Sequence, residues 1–132
     1  MGEVEGGTGG DCNGHGTHGA GTVGGVRFGA AKKLRLVAVR VLDCQGRGTD
    51  ATVERGLEWV LADHQAGQPA VLNMSLGGAP SVMLDREVRA LVKDGIVVVV
   101  AAGNGDGAGH ALDACQTSPA RTGVAITVSA TD

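Results

Sequence analysis

The chain has 132 residues, of which 42% are hydrophobic and 2% aromatic, and its net charge is −3. This length suits one domain whose core is built from Val, Ala and Leu. The weak negative charge gives no reason to expect nucleic acid or an anionic membrane surface as a partner. No apolar run approaches the roughly 18–20 residues that span a bilayer. Residues 1–10 are glycine-rich, lack periodicity and lack the features of a secretion signal, so we expect a flexible lead-in there and one domain at 11–132.

The most informative stretch is Asp11–Val23, which sets His15 and His18 among glycines and other small residues. Small residues allow the first turn of a helix to pack closely and leave His15 facing a cleft. We therefore expect a short helix from His15 to about Val23, closed by Gly24-Gly25. A lone histidine is about as often structural as functional, so its partners along the chain must decide its role.

Strand and helix patterns alternate along the rest of the chain. We expect strands at Leu34–Leu42, Ala70–Met74, Ile96–Ala102 and Val124–Ser129, and helices at Ala51–Ala66 and from a Ser81 cap to about Lys93. The continuously apolar Ile96–Ala102 is typical of a strand covered on both faces. This order predicts an α/β fold with right-handed βαβ crossovers and a mainly parallel sheet in three layers. Functional residues are then expected in loops that follow strands: 43–50, 75–80 and 101–104.

Several ordered blocks carry a resemblance to one protein family: NGHGTHGAGTV, VRVLDCQGRGT, NMSLGG, VVVAAGN and SPAR. Together, and at these spacings, they resemble the subtilisin-like serine proteases, most of all the proteinase K and aqualysin branch. The resemblance covers about residues 11–132. It implies a three-layer α/β/α fold, incomplete at both ends here, and a serine-type endopeptidase that hydrolyses peptide bonds in proteins.

The resemblance assigns roles to individual residues. His15 is similar to the family's catalytic base, His18 to its structural second histidine, and Asn104 to the side-chain donor of the oxyanion hole. Gly46-Arg47-Gly48 and Ser75-Leu76-Gly77 resemble the two edge segments that bind the substrate backbone. Ala101-Ala102-Gly103 resembles the lining of the specificity pocket. A peptide would add between the two edge segments as an extended strand.

The cysteines fit the same branch. Cys12 and Cys44 match a pair that forms a disulfide there, which would close about 32 residues. Cys115 matches a cysteine whose partner lies further downstream. Secretion is implied by the resemblance and by this cysteine pair. No cofactor is assigned, since the calcium ligands common in the family cannot be matched here.

Two catalytic segments of the family do not occur in this sequence: Asp-Thr-Gly or Asp-Ser-Gly before the histidine, and Gly-Thr-Ser-Met-Ala after the asparagine. The family strand that bears the aspartate lies between those matching 34–42 and 70–74. Without it, these strands must pair directly, leave a gap or borrow a strand from another copy, so self-association is one expectation.

Other groups could replace the missing ones only by adopting new roles. The carboxylates near the motifs are Asp11, Asp43 and Asp50, and the hydroxyls are Ser75, Ser81, Ser118 and Ser129. We expect all of the hydroxyls to be structural. Two alternatives to the protease hypothesis stay open: a non-catalytic peptide-binding fragment, and a metal site at Cys12, His15 and His18, whose spacing is short for closed zinc coordination.

Overall fold

The computed structural model describes residues 10–106, 108 and 110–130. Most of the predicted lead-in, residues 1–9, lies outside this range. The described residues fall into two compact units, and the division comes after Trp59. The assignment of 11–132 to one domain stays a prediction. None of the described helices is long and apolar enough to cross a membrane.

The first unit contains the helix α1 (His15–Gly24) and most of the helix α2 (Asp50–Asp63). The prediction for α1 is confirmed: its C-cap is Gly25, whose N–H donates to the Gly21 carbonyl at 3.0 Å. Thr49 caps α2, because its hydroxyl accepts the Thr52 N–H at 3.2 Å.

The strand predicted at 34–42 is wrong. This segment has a single bridge position, at Val39, and is not a strand of the described sheet. Its apolar side chains pack on helices instead: Leu34 and Leu36 lie against Gly24 of α1, and Val41 lies against Gly56 of α2. The alternating pattern is not matched by alternating burial, since residues 34–38 are all exposed, and a strand also needs hydrogen-bonded neighbours along its length.

The second unit is built on a three-stranded parallel sheet with β1 (Ala70–Met74), β2 (Ile96–Ala101) and β3 (Ile126–Val128) in that order. The helix α3 (Val82–Lys93) connects β1 to β2 and packs against β2. A short 3₁₀ helix, Ala114–Gln116, precedes β3. The α/β class with a parallel sheet is therefore confirmed, although β3 is shorter than predicted.

Both ends of α3 follow the predicted signals. The Ser81 hydroxyl accepts the Leu84 N–H at 3.4 Å, and Asp94 and Gly95, with φ of 102° at Gly95, end the helix. The apolar side chains that fill the core of this unit are Met74, Leu84, Val88, Leu91, Ile96, Val98, Val100 and Ala120.

Two further expectations are corrected. α2 ends at Asp63 and not at Ala66, because a turn closes there with Gly67 at φ 82° and the Gln68 N–H on the Gln65 carbonyl. β2 is buried on one face only. Its residues alternate between buried and more exposed positions, and Val97 keeps 46% of its surface exposed. A continuous apolar run therefore does not require cover on both faces.

Candidate active site

The first turn of α1, which carries His15, is organised by the Asp11 carboxylate. One carboxylate oxygen accepts the N–H groups of Asn13 and Gly14 at 2.9 and 2.8 Å. The other accepts the N–H and the hydroxyl of Thr17 at 2.8 and 2.7 Å. Gly14 adopts φ 98° and offers no side chain, so Asp11 provides the cap that this residue cannot.

These contacts decide what Asp11 can do. The Gly14 N–H, followed by the Thr17 hydroxyl and the remaining N–H donors, holds the pKa of Asp11 far below its ordinary value. Within the described part of the chain, no hydrogen bond joins this carboxylate to the His15 ring. Asp11 is thus a helix cap and does not orient the imidazole, which lies exposed.

Asn13 and a disulfide tie the His15 segment to the loop at 43–48. The Asn13 side chain accepts the His15 N–H at 3.3 Å and donates to the Cys44 carbonyl at 3.1 Å. Next to it, Cys12 and Cys44 form the predicted disulfide, with a Cα–Cα distance of 5.0 Å. His15 is therefore held beside this loop both covalently and by hydrogen bonds.

The disulfide also removes the zinc alternative, because a metal-binding cysteine must be a free thiolate. No group of three or more His, Cys, Asp and Glu side chains could hold a metal ion among residues 10–106, 108 and 110–130. Cys115 is an exposed free thiol.

Arg40 braces the same region. Its guanidinium donates to the Gly10 and Leu42 carbonyls at 3.0 and 3.1 Å and lies 3.2 Å from the Cys12 sulfur. The guanidinium thus holds both ends of the disulfide-closed segment. Neither Arg40 nor Asn13 was singled out from the sequence. Asn13 lies two residues before His15, but this position alone does not indicate its role.

The loop with the predicted edge segment Gly46-Arg47-Gly48 is a tight, exposed turn. Asp43 closes it: its N–H donates to the Arg47 carbonyl at 2.8 Å, and its carboxylate accepts the N–H groups of Gln45 and Arg47. Gly46 has φ 74°, which favours glycine. Asp43 is thereby a loop-closing residue, and the loop presents backbone to solvent beside His15.

The second unit brings the other predicted residues to one edge of its sheet. β1 and β2 run parallel with Met74 opposite Val100, so the segments that follow them leave at the same edge. Ser75-Leu76-Gly77 follows β1, and Ala102-Gly103-Asn104 follows β2. The Ala102 N–H donates to the Val128 carbonyl at 2.9 Å and extends the pairing with β3 beyond the end of β2.

Asn104 stands exposed in a tightly turned loop. Gly103 before it and Gly105 after it have φ of 116° and 84°. The Asp106 carboxylate then accepts from the His110 ring at 2.8 Å, which lowers the pKa of Asp106. The left-handed glycines on both sides of Asn104 and the Asp106–His110 contact shape the loop in which Asn104 lies.

The serine hydroxyls have structural partners, as predicted. Ser75 accepts from the Asn73 amide, Ser81 caps α3, Ser118 is fully buried, and Ser129 donates to the Ala130 carbonyl. Over the described ranges, no serine hydroxyl hydrogen-bonds to a histidine ring. The geometry therefore contains no rebuilt serine–histidine pair.

The chain is similar to known proteins over most of its length. Residues 3–132 match the subtilase family. An extracellular serine proteinase of Thermus sp. (strain Rt41A) is 54% identical over 92% of this chain, and alkaline serine exoprotease A of Vibrio alginolyticus is 50% identical over 92%. The crystal structure of a cold adapted subtilisin-like serine proteinase superposes with a TM-score of 0.81 and 47% identity over 89% of this chain.

The chain spans 28% and 21% of the lengths of those two relatives and 40% of the solved chain. The structural likeness confirms the subtilisin-like α/β fold, and the relatives are named as serine proteinases. The match to the subtilase family, over residues 3–132, runs through both units and includes every motif block quoted above. The chain therefore belongs to the subtilase family.

Proposed function

We propose that this chain provides the base, the oxyanion donor and the substrate-binding segments of a serine endopeptidase that cleaves peptide bonds in proteins. The observation that carries the proposal is the fixing of His15 at the start of α1, beside the Gly46–Gly48 loop, by Asp11, Asn13 and the disulfide. An exposed imidazole held next to exposed backbone suits a base that must reach a bound peptide.

In this mechanism His15 takes the proton from the hydroxyl of a serine as its oxygen attacks the scissile carbonyl. His15 then gives that proton to the leaving amine. Asn104 donates its side-chain N–H to the oxygen that becomes negative in the tetrahedral intermediate. The hydroxyls near the motifs have structural partners, so the proposal assigns no nucleophile to them.

Each of the two edge segments would pair with an extended substrate backbone as a strand does. Gly46–Gly48 and Ser75–Gly77 are largely exposed and rich in glycine, which leaves room for a second backbone. Ala102 and Gly103, small residues at the end of β2, would line the pocket for the side chain before the scissile bond. A protein or peptide is thus the expected partner.

Secretion is the proposed localisation. It is supported by the Cys12–Cys44 disulfide, since such bonds persist in oxidising compartments, and by the name of the Thermus relative. The expectation of no assigned cofactor and the expectation of self-association through the incomplete sheet stay predictions of the sequence.

A second candidate is a peptide-binding fragment without catalysis. It is favoured by the lack of the family's aspartate and serine segments in these 132 residues. Both candidates use the same edge segments, and they differ in whether His15 matters. Peptide binding that is indifferent to His15→Ala, without hydrolysis, is what the second candidate predicts.

The test grafts residues 11–132 into the Thermus proteinase in place of its matching segment and measures casein hydrolysis. We expect an active graft. His15→Ala should lower kcat by about 10⁴-fold or more, and Asn104→Ala by about 10²–10³-fold; both magnitudes are those known for subtilisin, a member of this family. His18→Ala, on the same helix, is the matched control and should keep most activity.

A folded graft that hydrolyses no casein would contradict the proposal. So would equal losses in His15→Ala and His18→Ala. The ungrafted chain, treated with an active-site serine reagent, should take no label on Ser75, Ser81, Ser118 or Ser129.

A further inference from the structure

Ser118 is a buried junction between α3 and the segment that follows β1. It is fully buried, its hydroxyl accepts the Ser81 N–H at 2.9 Å, and the same hydroxyl donates to Asp85 Oδ1 at 2.7 Å. Its backbone forms an antiparallel bridge with Gly78: the Gly78 N–H donates to the Ser118 carbonyl at 2.9 Å, and the Ser118 N–H donates back at 3.2 Å. One residue thus joins a helix to a loop.

Asp85 on α3 holds this junction. It is 4% exposed, and besides Ser118 it accepts from the Thr122 hydroxyl at 3.1 Å and from Arg121 Nε at 2.6 Å. Burial by itself would raise the pKa of Asp85, but these hydrogen bonds outweigh it and keep the pKa below its ordinary value. The carboxylate is therefore ionised at neutral pH and has three donors.

Gly78 comes directly after Ser75-Leu76-Gly77, one of the two edge segments. A Cβ on Gly77 would lie 3.4 Å from the Ser118 carbonyl oxygen, so Gly77 also lies close to Ser118. An edge segment can accept a peptide strand only if its free N–H and C=O groups keep a fixed direction. The Gly78–Ser118 bridge supplies that constraint from behind, through residues that no peptide would touch.

We infer that Asp85 is a positioning residue for peptide binding: through Ser118 it sets the backbone of residues 75–78, which would pair with an extended peptide. This inference rests on the proposed substrate-binding role of residues 75–77. Asp85 acts from inside the protein, 33 residues along the chain from Ser118.

Two readouts on the purified chain test the inference. The first is amide hydrogen exchange at Gly78, together with the backbone chemical shifts of residues 75–78, and it needs no ligand. The second is the affinity of an extended apolar hexapeptide, followed by chemical-shift titration. The matched control is Asp94→Asn, the same substitution at the other end of α3, where the lost partner is His64.

We expect Asp85→Asn to speed exchange at Gly78 and to weaken the peptide about tenfold, while Asp94→Asn leaves both close to the native values. Asn keeps a single acceptor oxygen, so it cannot accept both from Arg121 and from the Ser118 and Thr122 hydroxyls, and the network opens. Because Asp85→Asn could fail to fold, Thr122→Val and Thr122→Ser form a milder pair. Only Thr122→Val, which loses the hydroxyl, should weaken the peptide and alter residues 75–78.

Unchanged exchange and shifts at 75–78 in a folded Asp85→Asn, or equal effects of Thr122→Val and Thr122→Ser, would overturn the inference. If the native chain binds no hexapeptide, the proposed peptide site fails. The exchange at Gly78 then still decides whether Asp85 sets the backbone of that segment.

Discussion

The two units hold their predicted functional residues by different means. In the first unit, the core side chains are Val53 and Leu57, and His15 is kept in place by a disulfide and by hydrogen bonds of exposed groups. In the second, Asn104 and Ser75–Gly77 follow strands of a sheet whose apolar face is buried under α3. The first unit thus holds its functional residue by local cross-links, and the second holds its functional residues by packing.

This difference indicates which changes each unit tolerates. Burial of apolar area stabilises a sheet and helix continuously, so small polar changes at their surface have little effect. A loop that lacks such a core depends on a few specific contacts, and the loss of any one should displace His15. The predictions below are arranged to break one unit without the other.

The largest effect is expected from Leu91→Ala. Leu91 on α3 is 1% exposed, so its truncation leaves a cavity and should lower the free energy of unfolding by about 2–5 kcal/mol. Urea denaturation measures this. Val82→Ala on the same helix, where the side chain is 76% exposed, should change it by about 0.5 kcal/mol or less. Similar losses in both variants would contradict a core under α3.

Removal of the disulfide should act on the first unit. The Cys12→Ser, Cys44→Ser double variant frees a closed segment with a sequence separation of 32, which corresponds to about 3–4 kcal/mol in the chain-entropy model. Thermal unfolding of the double variant is compared with that of Cys115→Ser, the exposed free cysteine. A double variant as stable as Cys115→Ser would show that the core suffices for this unit.

Ser118→Ala should cost less, about 1–3 kcal/mol, because it leaves the buried Ser81 N–H without its acceptor and removes one of the two hydroxyl donors of Asp85 Oδ1. The loss should shrink in acid. The pKa of Asp85 is lowered in the folded protein, so its contribution is present above the ordinary value of 3.8 and disappears as the pH falls through the folded value. Unfolding free energies compared at neutral and acid pH test this, and a pH-independent difference would contradict it.

The smallest effect concerns His64, which joins the chain after α2 to the end of α3. Its Nδ1 lies 2.6 Å from the Asp94 carboxylate and its Nε2 lies 2.8 Å from the Gln68 carbonyl. Both neighbours are acceptors, so only the protonated ring satisfies both. The bond to Asp94, and then that to Gln68, raises the pKa of His64 above its ordinary 6.5.

The sign of the pH dependence follows from that raised pKa. The stabilising contribution is fully present below pH 6.5 and is lost as the pH rises through the folded pKa of His64. The denaturation midpoint of the native chain should therefore fall over this range, and that of His64→Gln should stay flatter. His110→Gln, which alters an exposed ring in a loop, is the control and should keep the native profile. A flat native profile would count against the His64 contacts.

Local sequence signals predicted much of the second unit. β1 has its predicted bounds, α3 begins after Ser81 and ends at Lys93, and β2 is one residue shorter than expected. Helix caps and apolar periodicity depend on residues that are close in sequence, so they can be recognised from the sequence alone. The segment at 34–42 shows the limit, since whether an alternating run forms a strand depends on hydrogen-bonded neighbours that are distant in sequence.

The candidate site also has parts that the sequence predicted and parts that it did not. The motif blocks assign roles to His15, Asn104 and both edge segments, which stay predictions, and the pairing of Cys12 with Cys44 implied by the resemblance is confirmed. The Asp85 network was not predicted, because its partners lie 33 to 37 residues away and no local pattern joins them. Buried polar contacts of this kind depend on the packed fold as a whole.

The most direct test of the difference between the units is amide hydrogen exchange with and without a reductant. Reduction of Cys12–Cys44 should speed exchange at Thr17 and His18, whose N–H groups bond to Asp11 and to the Gly14 carbonyl, and leave Gly78 and Ala102 unchanged. Equal acceleration at all four amides, or none at Thr17 and His18, would contradict the claim that the disulfide holds His15 while packing holds the sheet edge.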